Sequence, residues 1–127
     1  MRSTLHRKIK LQGTNDSAEV RAVFALNIRE TYIRLDIAKK LGRPTPCSRP
    51  LALKIAGSEK RLPATHYMAL EFDLDGHTVD WSCKVAPELP CETVIGNAMM
   101  SARRIVLDLV NKDLIVEKDE PEDVLAL

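Results

Sequence analysis

The chain has 127 residues, 45% of them hydrophobic and 29% charged, enough for one domain with its own core and too short for two ordinary ones. Nineteen basic residues against eighteen acidic ones leave a net charge of +1, which gives no electrostatic reason for nucleic acid or an anionic membrane as the main partner. No apolar run nears the ~20 residues that span a bilayer, and the N-terminus lacks the apolar stretch of a secretion signal.

The basic start, with Arg2, His6, Arg7, Lys8 and Lys10, reads as a solvated tail over 1–7 that leads into a first strand. Alternation of Ile9 and Leu11 with polar neighbours predicts that strand up to Gly13, and Thr14–Ser17 carries turn chemistry. Residues 19–26 then read as a second, more buried strand, paired with the first as a hairpin. Ile33, Ile37 and Leu41, with Ala38 beside them, predict an amphipathic helix. Gly42 is expected to end it in the left-handed conformation, and Pro44 and Pro46 to prevent its resumption.

Residues 51–85 are strand territory. Leu51, Leu53 and Ile55 share a parity, and Gly57-Ser58 interrupts them as a hairpin tip would. Met68, Leu70, Phe72 and Leu74 lie on one face of a strand, and Val79, Trp81, Cys83 and Val85 on one face of the next. Asp75-Gly76 between them tolerates the positive φ angles of a tight hairpin. Val94-Ile95 is a short apolar strand, and Asn97 is expected to cap a brief helix through Arg103. Residues 105–117 read as strand, Asn-Lys turn, strand. The acidic end, 118–127, is expected to be a frayed tail. Mostly short strands with two short helices indicate a mainly β, closed or sandwiched domain.

Metal and nucleotide chemistry find no support. Cys47, Cys83 and Cys91 have no paired spacing, so reduced thiols in a cytoplasmic protein are expected. Together with His66 or His77 they lack metal-site spacing, and no Gly-rich phosphate loop exists. No cofactor is expected. Trp81, Tyr32 and Tyr67 are too few to form base-stacking platforms, and Met99 and Met100 read as core or dimer packing.

The order of elements resembles the single-domain, retroviral-type (retropepsin-like) aspartic proteases, over about Lys8 to Glu117. An apolar frame, Ala22, Val23 and Phe24, then Ile28, Thr31, Tyr32 and Ile33, leads to the helix ending at Gly42. A flap-like hairpin spans 55–64, Val85–Pro90 resembles the stretch before the second signature, and Val94, Ile95 and Gly96 match that signature itself. The resemblance implies a closed β-barrel or sandwich with a flap hairpin. It also implies a cleft shared by two subunits, with Ala56, Gly57, Ser58 and Asn27 contacting an extended peptide.

The departure falls on the chemistry. Where the family places Asp-Thr/Ser-Gly, this chain has Ala25, Leu26 and Asn27. The family dyad sets two carboxylates close together, so that one acts as base toward water and the other as acid toward the substrate carbonyl. An alanine methyl does neither, and Leu26 replaces the cross-linking hydroxyl with an apolar contact. Asn27 is the mildest change, because Asn enters the left-handed region readily. Glu30, Asp36, Asp73, Asp75 and Asp108 each read as surface charges rather than substitutes.

The leading expectation is therefore a catalytically silent retropepsin-like domain. It would act as a dimerising or peptide-binding module, a homodimer that holds an extended peptide or unfolded segment, with neither nucleic acid nor membrane as partner. The alternatives are an active aspartic endopeptidase whose catalytic Asp has been replaced by Ala25 in this chain to prevent self-cleavage, and an unrelated small β-barrel that binds RNA or a small ligand.

Overall fold

The structure, a computed structural model, describes residues 4–54, 59–117 and 124–126. Its first hairpin joins β1 (Thr4–Gln12) to β2 (Ser17–Ala25) in antiparallel register, from Thr4 opposite Ala25 to Gln12 opposite Ser17. The short β3 (Tyr32–Arg34) leads directly into helix α1 (Leu35–Leu41), and β4 (Thr45–Lys54) follows. The long β5 (Arg61–Leu74) and β6 (His77–Ala86) form the second hairpin, and β7 (Thr93–Ile95) precedes α2 (Asn97–Ala102). A separate ribbon, β8 (Ile105–Asp108) with β9 (Asp113–Val116), completes the described elements.

Six strands close on themselves in the order β1-β2-β7-β3-β6-β5, and β5 returns to β1 through the pairs Lys10–Asp73, Leu11–Phe72 and Gln12–Glu71. This is the expected closed β-barrel. β4 stands off it, paired on one side with the first half of β5. β5 thus serves both the barrel and the hairpin that resembles a flap. The expected tip, Ala56, Gly57 and Ser58, lies outside the described residues, as does Ile55.

Alternation along the strands builds the core. Leu5, Ile9 and Leu11 of β1, Val20, Ala22 and Phe24 of β2, and Met68, Leu70, Phe72 and Leu74 of β5 fill the barrel, with Val79, Cys83 and Val85 of β6. Ile37, Ala38 and Leu41 from α1 join them, as do Met99 and Met100 from α2, so both methionines are core residues. Trp81 packs half-buried against this core, with the Arg103 guanidinium 5.8 Å from its ring centre. Asp75 and Gly76 take φ angles of 52° and 87°, the paired left-handed conformation that the tight β5–β6 hairpin requires.

Several boundaries differ from those the sequence predicts. β1 begins at Thr4, so Thr4–Arg7 are strand rather than tail. Tyr32 and Ile33 are not helical: their backbones pair with Lys84 and Val85 on β6 and with Val94 and Thr93 on β7. Two ladders outweigh one extra helical turn. Gly42 ends α1 with φ 175°, extended rather than left-handed, while its N–H donates to the Ala38 carbonyl. Gly96, not Asn97, occupies the cap position of α2. Residues 118–123 and 127 of the expected frayed tail lie outside the described residues, and Val124–Ala126 carry no regular secondary structure.

Arg7 fastens three distant segments. Its guanidinium donates to Asp113 at 2.6 Å and to Asp75 at 3.0 Å, tying β1 to β9 and to the β5–β6 turn. The bond from Arg7 holds the Asp113 carboxyl below the usual carboxylate range, with help from the Leu114 N–H. A depressed carboxyl stabilises the fold above its unfolded pKa of about 3.9 and loses that contribution as pH falls through the folded value. Asp113→Asn should therefore lower stability at pH 6 while converging with the parent in strong acid, as followed by urea denaturation. Because the pair is exposed, added salt should also shrink the gap.

Candidate functional site

β2 ends at Ala25, and the chain turns through Leu26 and Asn27 before β3. A short β-strand and a short helix hold this loop from the far end of the sequence. β7 inserts between β2 and β3, parallel to one and antiparallel to the other. The carbonyls of Ile28 and Arg29 then accept the N–H groups of Asn97 and Ala98, at 2.6 and 3.1 Å. Those N–H groups open α2 and have no partner within the helix. The loop caps the helix, and the helix fixes the loop.

Side chains complete the fastening. Thr31 is fully buried; its hydroxyl oxygen accepts the Gly96 N–H at 3.1 Å, and the hydroxyl donates to the Met99 sulfur at 3.6 Å. The Thr93 hydroxyl donates to the Tyr32 carbonyl at 2.6 Å. The Asn97 amide donates to the Leu26 carbonyl at 2.9 Å, the use its side chain finds instead of capping. A Cβ at residue 96 would sit 2.3 Å from the Glu30 carbonyl oxygen and 2.4 Å from that of Arg29, so only glycine permits this approach.

The candidate trio takes three different environments. Ala25 is 2% exposed, packed in a second apolar cluster with Tyr32, Ala64, Ala86, Leu89 and Val94, flanked by Ile28, Leu53 and Cys91. This cluster is separate from the barrel core. Tyr32 and Val94 belong to it while their neighbours Ile33 and Ile95 point into the barrel. Leu26 is 44% exposed, and Asn27 is exposed. Asn27 is not among the residues with positive φ, so the loop closes without the left-handed step anticipated there.

The carboxylates weighed as substitutes are engaged elsewhere. Asp36 accepts two bonds from Arg34, at 2.7 and 3.2 Å, and those bonds push its pKa down. Asp73 accepts the Gly76 N–H, Asp75 pairs with Arg7, and Asp108 accepts two bonds from Asn111. Of these carboxylates, Glu30 is the one felt at the second cluster. Burial raises the Tyr32 phenol above its ordinary value, and the Glu30 charge adds to the rise. Burial likewise raises the Cys91 thiol, against a lowering by Arg34, and raises that of Cys83. No group of three or more His, Cys, Asp or Glu side chains able to hold a metal ion is found among the described residues.

Comparison with solved structures places this architecture. The chain is similar to the retroviral protease-like domain of Ddi1 from Leishmania major, with a TM-score of 0.69 and 15% identity over 98% of this chain and 100% of that one. It is also similar to the EIAV protease complexed with the inhibitor HBY-793, with a TM-score of 0.58 and 14% identity over 86% of this chain and 96% of that one. No protein-family model matches the chain, and no curated protein matches it by sequence. The fold is retropepsin-like, as expected, and the alternative of an unrelated small β-barrel falls away.

Thr31 enters the sequence reading only as a member of the apolar frame and Thr93 not at all, and neither is expected there to fasten the loop. A signal is present in each: a lone hydroxyl beside an apolar strand, in Thr31-Tyr32-Ile33 and Thr93-Val94-Ile95. Thr31→Val keeps the shape and strands the Gly96 N–H without a partner. It should cost about 1–3 kcal/mol by chemical denaturation, whereas Thr31→Ser should recover most of the loss.

Proposed function

We propose that this chain is a catalytically silent retropepsin-like domain that dimerises and holds an extended peptide. The observation that carries the reading is the state of residue 25. On the reading that residue 25 stands where a fold of this kind would present a carboxylate, the group there is a methyl, shut inside an apolar cluster. Water activation needs a group that accepts and returns a proton. Among the described carboxylates, those already named are held in bonds remote from the loop, and Glu30 is five residues past Ala25.

Two further features support the binding reading. Leu26 exposes apolar surface at the tip of a loop that is otherwise tightly held, a suitable contact for the same residue of a second copy across a two-fold axis. Among the described residues β4 is paired on one side only, which leaves its other edge for strand addition by an extended peptide. Ala56, Gly57, Ser58 and Asn27 are the proposed peptide contacts.

Sedimentation at tens of micromolar should show a dimer, and Leu26→Asp should shift it toward monomer. A strict monomer in the parent would remove the shared cleft. Incubation with unfolded protein at acid or neutral pH should yield no cleavage; cleavage blocked by a pepstatin-type inhibitor would overturn the silent reading.

Ala25→Asp tests the burial of the loop directly. A carboxyl among Tyr32, Ala64, Ala86 and Leu89 resists ionisation, so its pKa rises above the unfolded value of about 3.9. The native state then holds more protons than the unfolded chain, and stability falls as pH rises through that interval. The variant should be less stable than the parent at pH 7, by roughly 1.4 kcal/mol for each tenfold weakening of the carboxyl's acidity, and closer to it at pH 5. An equal gap at both pH values would show that residue 25 is not in a water-poor site.

A further inference from the structure

The outer face of β2 does not stop at the cluster around Ala25. Side chains two residues apart share a face, so Ala25 is followed back along the strand by Val23, Arg21 and Glu19. Their partners across the β1 ladder are Thr4, His6, Lys8 and Lys10. Val23 is half-buried, while His6, Lys8 and Arg21 are exposed. His6, Arg7, Lys8 and Arg21 line a shallow depression of about 190 Å³.

The charges on this face are unevenly balanced. Lys8 and Arg21 are direct cross-strand partners, an arrangement that costs stability because like charges oppose. Glu19 supplies one long ion pair to Lys8, at 3.8 Å. Lys10 stands opposite Glu19 in one ladder and Asp73 in the other. Arg7 is committed to Asp75 and Asp113. Lys8, Lys10 and Arg21 set against Glu19 and Asp73 leave one positive charge in excess on this face, with Lys8 and Arg21 about 13 Å from Ala25 at ~3.3 Å per strand residue.

We propose that this basic face extends the peptide groove, so that the preferred ligand is an extended peptide with acidic residues about four positions from the residue seated against the apolar cluster that covers Ala25. The inference rests on the peptide-binding reading given above. An extended ligand running along β2 passes from the apolar cluster over Val23 and reaches Lys8 and Arg21 with its own residues in step, because both chains advance at the same rate. Acidic side chains there relieve the Lys8–Arg21 repulsion on binding, which favours them over neutral or basic ones. A nucleic-acid strand finds the charge but little stacking surface, since the exposed outward side chains of this face include no Phe, Tyr or Trp and a single imidazole, His6.

The test uses the full chain and two fluorescent pools of extended peptides about a dozen residues long. Both share randomised central residues, and they end in three Glu or three Lys. By anisotropy at low salt the Glu-ended pool should bind about tenfold more tightly, the sum of a few exposed ion pairs. The preference should vanish in the Lys8→Gln, Arg21→Gln double variant and at about 0.5 M salt. Circular dichroism should show that variant folded, with an unchanged or raised Tm. Equal binding of the two pools would overturn the basic extension and leave peptide binding intact. No binding of either pool would remove both readings. Equally tight binding of a charge-matched Glu-Ser peptide without apolar residues, or of oligothymidylate, would mark a polyanion site independent of the groove and would also overturn the proposal.

Discussion

The interaction on which the rest depends is the clasp between the loop after β2 and the start of α2. A loop that must project a functional tip has few internal hydrogen bonds, and a helix N-terminus has N–H groups with no internal partner. Here each deficit meets the other, through Ile28 and Arg29 on one side and Asn97 and Ala98 on the other. Gly96 permits the approach, and Thr31 locks it from beneath. The clasp holds β2, β7 and β3 side by side at the point where the barrel closes. The loop is therefore held by backbone groups and by Thr31, whatever side chains its tip carries.

A second constraint follows from strand geometry. β2, β7, β3 and β6 each give alternate residues to the barrel core and to the cluster around Ala25. Phe24 and Ile95 face one way, Ala25 and Val94 the other. A one-residue slip in any of these strands would exchange the two sets, so the barrel core enforces the register of the candidate groove. The groove needs no separate folding information of its own. Small residues at 25, 64 and 86 then let the second cluster pack closely.

Much of this architecture is legible in the residues. The parity of Met68, Leu70, Phe72 and Leu74, and the Asp75-Gly76 turn, specify the β5–β6 hairpin by local rules alone. The apolar frames around Ala25 and Gly96 identify the fold, because their order and spacing carry information that composition does not. Tyr32 and Ile33 mislead: their spacing to Ile37 suits a helix, but the partners that make them strand lie some fifty to sixty residues away. Asn97 misleads as a cap for the same reason. Its side chain answers to Leu26, and no local pattern reveals that. Thr31 and Thr93 stay hidden because a threonine beside a strand is ordinary until burial makes its hydroxyl indispensable.

The insertion of β7 between β2 and β3 also sets the order in which the molecule can fold. The β1–β2 and β5–β6 hairpins bring together residues near in sequence and can form early, since their loops close quickly. The parallel pairing of Ala22 with Thr93 joins residues 71 apart in sequence, so closing it costs more chain entropy than closing either hairpin. Folds dominated by such distant pairings assemble slowly. Until that last strand enters, β2 and β3 each present an open edge flanked by apolar side chains, able to accept a strand from any source. The step that completes the candidate site is thus also the one that ends the chain's exposure to misassembly.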